Sequence, residues 1–233
     1  MRSSALVSGA LAVLLLVLVV VGWPPLLSLD RSVADALHRS AVAEPGFTHA
    51  NRILTDWVWD PWTMRALITV TVLVLWWRRE RWPAVWVAAA MLLASGVQQG
   101  LKAAVGRARP GWPDPVDSAQ YAAFPSGHAM TETVGWGLLL WVLALHWREA
   151  WRGWSVLAVA AAVSVLGVGW TRIYLGVHWL SDVVAGWLLG WCVVAVAIMT
   201  YRRYGAVRQE RAGGSAGRAD PPGTEGSRMG ETT

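Results

Sequence analysis

Apolar positions along this chain gather into long uninterrupted runs, not into the alternating or three-to-four spacing of half-buried strands and helices. Six runs approach the roughly 20 apolar residues that carry a helix across a bilayer. They are Ala5–Trp23, Trp62–Trp77, Pro83–Val105, Ala129–Trp147, Gly153–Trp170 and His178–Tyr201. The pattern predicts an all-α fold, a six-transmembrane helix bundle forming one domain over 1–204. The second run is short and carries Arg65 near its outer end, where the side chain is expected to snorkel. The segment 24–61 is too long for a turn, and it is expected to hold short interfacial helices. Asp30 is placed to cap one of them, with Val33, Ala34, Leu37 and Ala41 on one side, and Ile53, Leu54 and Trp57 suggest a second apolar edge. His38 and His49 lack metal-ligand companions and read as solvent-facing or interfacial. After Tyr204 the composition turns to Gly, Ser, Arg, Pro and Glu, which predicts a disordered tail over 205–233.

Composition agrees with a membrane protein. Hydrophobic residues make up 55% of the 233 and charged ones 15%, against about a quarter charged in a soluble domain. Many of the 18 tryptophans sit where runs end (Trp23, Trp57, Trp59, Trp62, Trp76, Trp77, Trp82, Trp147, Trp151, Trp170, Trp179), as an aromatic belt at head-group depth requires. Trp136, Trp141, Trp187 and Trp191 lie inside runs and read as core packing. The net charge of +5 does not call for nucleic acid, because the arginines flank the runs. Arg2, Arg78, Arg79, Arg81, Arg148, Arg152, Arg202, Arg203, Arg208 and Arg211 mark one side, which the positive-inside rule assigns to the cytoplasm. Both termini are then cytoplasmic, and 24–61, 106–128 and 171–177 fall outside. The uncharged stretch Ser3–Leu29 outlasts a signal-peptide core, so the first run reads as a retained helix. Cys192 is the single cysteine, which precludes an intramolecular disulfide and reads as inert packing.

Polar residues are costly inside a membrane, and here they collect at the outer ends of the runs. Three clusters stand out. In the first, Lys102 is the only lysine among twenty basic residues and precedes Arg109-Pro110. Two fixed cations suit a doubly charged phosphate, and a snorkelling pair at the head-group boundary explains them equally. The second is Pro125-Ser126-Gly127-His128, a helix start whose free amides can receive an anion, or a plain cap. In the third, Arg172 precedes His178, and Asp182 follows four residues later on the same helical face. A carboxylate so placed can fix the imidazole tautomer, whereas a structural ion pair would not require a histidine. Asp114, Asp117 and His146 are read as loop solvation and interface residues.

These three clusters, in this order and spacing, resemble the type-two phosphatidic acid phosphatase family, which shares its site with vanadium-dependent haloperoxidases. The resemblance covers roughly residues 1–200, with Thr171 standing where the family usually has serine. It implies that His178 attacks phosphorus and becomes a phosphohistidine, oriented by Asp182, and that His128 protonates the leaving oxygen. Lys102, Arg109, Ser126, Gly127 and Arg172 would hold the phosphoryl oxygens, with Thr171 behind them. No cofactor is implied, and no carboxylate cluster for magnesium is visible.

The resemblance implies an enzyme acting on a membrane lipid phosphate: phosphatidic acid, phosphatidylglycerol phosphate, or a polyprenyl diphosphate or monophosphate. Phosphate transfer to another acceptor, a transporter and a haloperoxidase are the alternatives. A transporter would place polar groups near the midplane, where these runs are apolar. The abundance of arginine suggests a GC-rich genome, with a bacterial inner membrane as the simplest setting. Glu132 lies four residues after His128 and shares its helical face. A buried carboxylate needs a partner, and the two options are a bond that keeps His128 a competent acid or an ion pair with Arg172 or Arg109.

Overall fold

The computed structural model describes residues 1–146 and 151–216. Trp147 and Arg148 of the expected belt and inner side, and 217–233 of the expected tail, lie outside the described residues. Eight α-helices follow one another: α1 (Arg2–Val20), α2 (Pro24–Ala43), α3 (Pro45–Ile53), α4 (Pro61–Trp77), α5 (Arg81–Val105), α6 (Gly127–His146), α7 (Trp151–Tyr174) and α8 (Leu180–Ala216), with a π-helical turn at Leu54–Val58. No strand occurs among the described residues. Among the described residues, six stretches are long and apolar enough to cross a membrane, at Arg2–Val20, Pro45–Trp77, Arg81–Val105, Gly127–His146, Gly153–Tyr174 and Leu180–Gly205. The fold is the expected six-span bundle.

The second stretch is longer than expected because α3 and the π turn lead into α4 across a break at Asp60. There the Asp60 carboxylate accepts from the Trp62 amide at 2.8 Å and the Thr63 amide at 3.3 Å, and Pro61 occupies the first helical position. At the other end of the chain, α8 runs on to Ala216, past the composition change after Tyr204. Ala, Arg, Gln and Glu at 206–211 are good helix formers, so the helix does not stop where the apolar run does.

Helix α6 is the axis of the bundle. It packs against α4, α5, α7 and α8, and Val134 and Leu138 are fully buried. Between lipid-solvated helices, close approach depends on small residues that let dispersion contacts form along the backbone. Gly186 and Gly190 of α8 provide it: a Cβ on Gly186 would lie 2.8 Å from the Ser126 carbonyl oxygen, and one on Gly190 would lie 2.8 Å from Thr133 Cβ. With Gly190 facing α6 and Cys192 facing α1, Trp191 points outward and is 43% exposed, not core as expected. Trp141 is buried as expected.

Helix α2 corrects two further expectations. It is a 20-residue helix beginning at Pro24, so Asp30 is not its cap. Asp30, Ala34, His38 and Ala41 form one buried stripe, and the helix lies against α7 and α8. His38 is therefore buried, stacked on Trp112 with ring centroids 4.0 Å apart and planes 11° apart, while His49 is exposed as expected.

The glycine contact makes a testable demand. Gly186→Val should lower the melting temperature in detergent and misplace the segment that begins α6. Gly153→Val, where nothing lies within 4 Å, should be milder, limited to the intrinsic helix preference. Equal melting of the two variants would show that α6 and α8 do not depend on this approach.

Candidate active site

A cavity of about 270 Å³ opens where α5, α6 and α7 end or begin. Lys102, Arg109, Gly127, His128, Arg172 and His178, drawn from all three sequence clusters, line it. The site is thus one place, built from chain segments far apart in sequence.

His178 sits just beyond the end of α7. The helix ends because Gly176 turns left-handed at φ +67°, and the Val177 and His178 amides both donate back to the Arg172 carbonyl at 3.2 Å. The Trp112 indole donates to the Gly176 carbonyl at 3.0 Å and lies so close that a Cβ there would stand 2.5 Å from it. This turn presents the imidazole edge-on between two partners. Nδ1 lies 3.4 Å from Asp182 Oδ2, and Nε2 lies 3.1 Å from Arg109 Nη1. A guanidinium has only donors, so Nε2 must accept and the ring proton resides on Nδ1, toward the carboxylate. Burial holds the His178 imidazole well below its usual range, and Arg109, Arg172 and Lys102 press it lower. The ring is neutral at physiological pH with its lone pair on the cavity side.

Asp182 does not line the cavity; it stands behind His178, fully buried. Its Oδ2 also accepts from the Trp179 amide at 2.9 Å. Arg109 is anchored by carbonyls, donating to Tyr121 and Gln120 at 2.9 Å and to Val177 at 2.6 Å. Lys102 donates to the Ala122 carbonyl. Arg172 is 4% exposed, donates to Thr55 Oγ1 at 3.2 Å from the π turn, and has Asp117 4.0 Å away. The Ser126 hydroxyl and the Arg172 Nε are buried without a hydrogen-bond partner.

The start of α6 faces the cavity through Gly127 and His128. The Phe124–Pro125 peptide is cis, and the Ser126 amide donates to the Asp182 carbonyl at 2.9 Å, which ties this segment to α8. A Cβ on Gly127 would lie 2.5 Å from Gln98 Nε2, so a side chain there would have to displace that amide. First-turn amides, a glycine that admits close approach and three cations are the kinds of group that can receive a tetrahedral oxyanion.

Several further side chains surround this site, some absent from the three sequence clusters and some given another role there. Arg107 bonds Asp182, Ser181 and Asp30, joining α2 to the start of α8. Thr55 and Trp112 act on Arg172 and on the Gly176 turn. Asp117, read as a solvated loop residue, faces Arg172. Arg65 does not simply snorkel: it lines the cavity, its guanidinium 4.9 Å from the Trp62 ring centroid. Their partners come from distant segments, so no local pattern marks them. Glu132 is 1% exposed, but no hydrogen bond or ion pair joins it to His128, Arg109 or Arg172 among the described residues, and its Oε2 is unpartnered. Thr171 is also buried, its hydroxyl spent on the Val168 carbonyl at 2.8 Å. His146 bonds Glu80 at the opposite end of the bundle.

A larger groove of about 1140 Å³ lies between α1 and α8, lined by Ala5, Gly9, Val196 and Arg203 among others. It is some 20 residues further along α8, roughly 30 Å from the site, and it carries none of these groups. Among the described residues no three His, Cys, Asp or Glu side chains converge as they would on a metal ion.

Comparison with known proteins bears on this geometry. The model of the PAP2 superfamily matches residues 83–205. Phosphatidylglycerophosphatase B of Bacillus subtilis (strain 168) is 31% identical over 109 residues, covering 45% of this chain and 53% of that protein. An undecaprenyl-diphosphatase of Sulfolobus acidocaldarius is 38% identical over 78 residues, covering 34% and 31%. Phosphatidylglycerophosphatase B of Escherichia coli (strain K12) is 36% identical over 81 residues, covering 35% and 30%. The chain therefore spans about half of the first of these relatives and under a third of the other two. In three dimensions the fold matches the crystal structure of a transmembrane PAP2-type phosphatidylglycerolphosphate phosphatase from Bacillus subtilis, with a TM-score of 0.76 and 20% identity over 86% of this chain and 96% of that one.

Two outcomes follow from the geometry. Orthovanadate or orthophosphate should raise the melting temperature, by about 2.7 kcal/mol of stability at 100 times Kd, and Arg172→Gln should abolish the shift. A shift that survives would place the anion elsewhere. The second outcome concerns pH. Because folding depresses the His178 pKa, the unfolded chain takes up a proton that the folded one refuses below about pH 6.5. Stability should fall as pH drops through that value, by up to about 1.4 kcal/mol per unit for this one proton. His178→Gln should flatten the acid arm of melting temperature against pH, and an unchanged arm would rule this out.

Proposed function

Because the chain belongs to the PAP2 superfamily, we propose that it is a membrane lipid phosphatase, hydrolysing a phosphate monoester or diphosphate of a lipid head group through a phosphohistidine. The observation that supports this reading is the His178–Asp182 pair, whose Nε2 faces a cavity ringed by Lys102, Arg109 and Arg172. A substrate phosphate enters with two negative charges and draws Arg109 Nη1 from Nε2 onto its own oxygens. Lys102, Arg172, the Ser126 hydroxyl and the α6 amides hold the others, supplying fixed positive charge for the equatorial oxygens. Nε2 then attacks phosphorus in line as the bond to the leaving oxygen breaks. His128, which also lines the cavity, gives that oxygen its proton. The Nδ1 proton faces Asp182, which stabilises the cationic ring of the intermediate. Water, deprotonated by His128, attacks phosphorus next, and the P–N bond breaks to release orthophosphate.

The catalytic end is extracytoplasmic in this reading. Arg78, Arg79, Arg81, Arg202 and Arg203 lie at the opposite ends of α4, α5 and the membrane-spanning part of α8, and the positive-inside rule places them in the cytoplasm. Phosphatidylglycerol phosphate and a polyprenyl diphosphate lead the candidate substrates, since similar proteins are named for these activities. A bacterial inner membrane is the setting that fits.

The test is phosphate release by purified protein from phosphatidic acid, phosphatidylglycerol phosphate and undecaprenyl diphosphate, with and without a chelator. Activity on at least one lipid should persist in chelator and disappear in His178→Ala. Acid-labile label from a radioactive terminal phosphate should be trapped on the wild-type protein and not on that variant. Release that survives His178→Ala, or no release from any of the three, would reject the reading.

A further inference from the structure

Asp182 is fixed by more than its own helix. Arg107 Nη1 donates to Asp182 Oδ1 at 2.6 Å and to Ser181 Oγ at 2.7 Å, while Nη2 donates to Asp30 Oδ2 at 2.7 Å. Asp30 in turn accepts from the Ser181 amide at 2.9 Å and from its hydroxyl at 2.5 Å. Asp30 and Asp182 are 1% and 0% exposed, so two buried carboxylates share one guanidinium. Isolated buried carboxylates are strongly disfavoured, and a planar fork that reaches two of them at once locks their relative position.

The consequence falls on His178. With Oδ1 held by Arg107 and Oδ2 by the Trp179 amide, the carboxylate has no freedom to rotate away from Nδ1. Arg107 itself does not line the phosphate cavity. It borders a separate crevice of about 160 Å³ with Asp30, Arg31 and Trp179, the indole ring lying 5.6 Å from its guanidinium carbon. The Trp179 indole closes this side by donating to the Ala108 carbonyl at 2.9 Å.

We infer that Arg107 and Asp30 form a positioning clamp, through which helix α2 sets the orientation of the Asp182–His178 pair. The inference rests on the reading of His178 as nucleophile. Its residues act through Asp182 and never touch the phosphate. This division predicts a kinetic signature distinct from that of Lys102 or Arg172: the clamp governs turnover and leaves anion binding intact. A displacement near 1 Å at a reacting atom changes rate by on the order of 100-fold.

In detergent-purified full-length protein, Arg107→Ala should lower kcat by on the order of 100-fold, with KM and the melting shift given by orthovanadate close to wild type. Free guanidinium ion, small enough for the crevice, should restore part of kcat, and sodium chloride at equal ionic strength should not. Arg107→Lys should fall between wild type and alanine, because an ammonium keeps the charge and loses the fork. Should Arg107→Ala fail to fold, the double variant Arg107→Met with Asp30→Asn removes one charge of each sign and carries the same kcat measurement. Wild-type kcat in a folded Arg107 variant would overturn the clamp. So would a loss confined to KM, or a loss that guanidinium leaves untouched while orthovanadate still shifts melting. Inactivity of the wild type on every lipid would instead be a failure of the phosphatase reading, and would be seen first.

Discussion

Gathering positive charge at the edge of a membrane is the constraint that organises this molecule. Lys102, Arg109 and Arg172 line one small cavity, each partly or fully withdrawn from water, and each repels the other two. Like charges in a low-dielectric setting stay together only if the surrounding structure over-determines their positions. Here the counterweight is mostly backbone dipole. Three carbonyls from 120–121 and Val177 fix Arg109, the Ala122 carbonyl fixes Lys102, and Thr55 and Asp117 flank Arg172. Asp60 lines the cavity together with Lys102, Arg109, Arg172 and Arg65, so the charge around it stays net positive.

The carboxylates closest to His178 lie outside the cup. Asp182 and Asp30 are behind His178 and are neutralised by Arg107, which does not enter the cavity. The imidazole separates the two regions, with a negative group at Nδ1 and cations at Nε2. Its orientation and tautomer are therefore dictated from both sides. Helix α2, which packs against α7 and α8, brings Asp30 into this arrangement and, through His38 stacked on Trp112, braces the Gly176 turn as well.

Much of this was legible in the sequence, and the reasons for the rest are specific. The spans are legible because bilayer thickness imposes a length on apolar runs. Lys102, Arg109, His128, Arg172 and His178 are legible because polar groups at span ends demand an explanation and their order matches a known pattern. Asp30 was read as a helix cap, since a local pattern sees only the nearest amides, and its partners are 77 and 151 residues away. Arg107 was overlooked beside Arg109 because both are outer-loop arginines; only the fold separates the one that faces the cavity from the one that faces Asp182. Glu132 shares a face with His128 as the helical period requires, but a shared face does not fix which way the carboxyl turns.

A folded chain seldom leaves buried donors unsatisfied, and each exception carries a free-energy penalty. Among the described residues, Ser126 Oγ and Arg172 Nε are two such atoms, and both belong to residues proposed to hold the phosphate. The neighbouring Thr171 hydroxyl, by contrast, is saturated by its own helix. Keeping donors free and rigid beside fixed cations lowers the reorganisation needed when an oxyanion arrives. The close approach of α6 and α8 at Gly186 and Gly190 lies next to these atoms in the fold and is independent of them. A tight helix contact next to an under-satisfied polar cup is the arrangement expected of a site whose scaffold supplies the stability that its chemistry gives up.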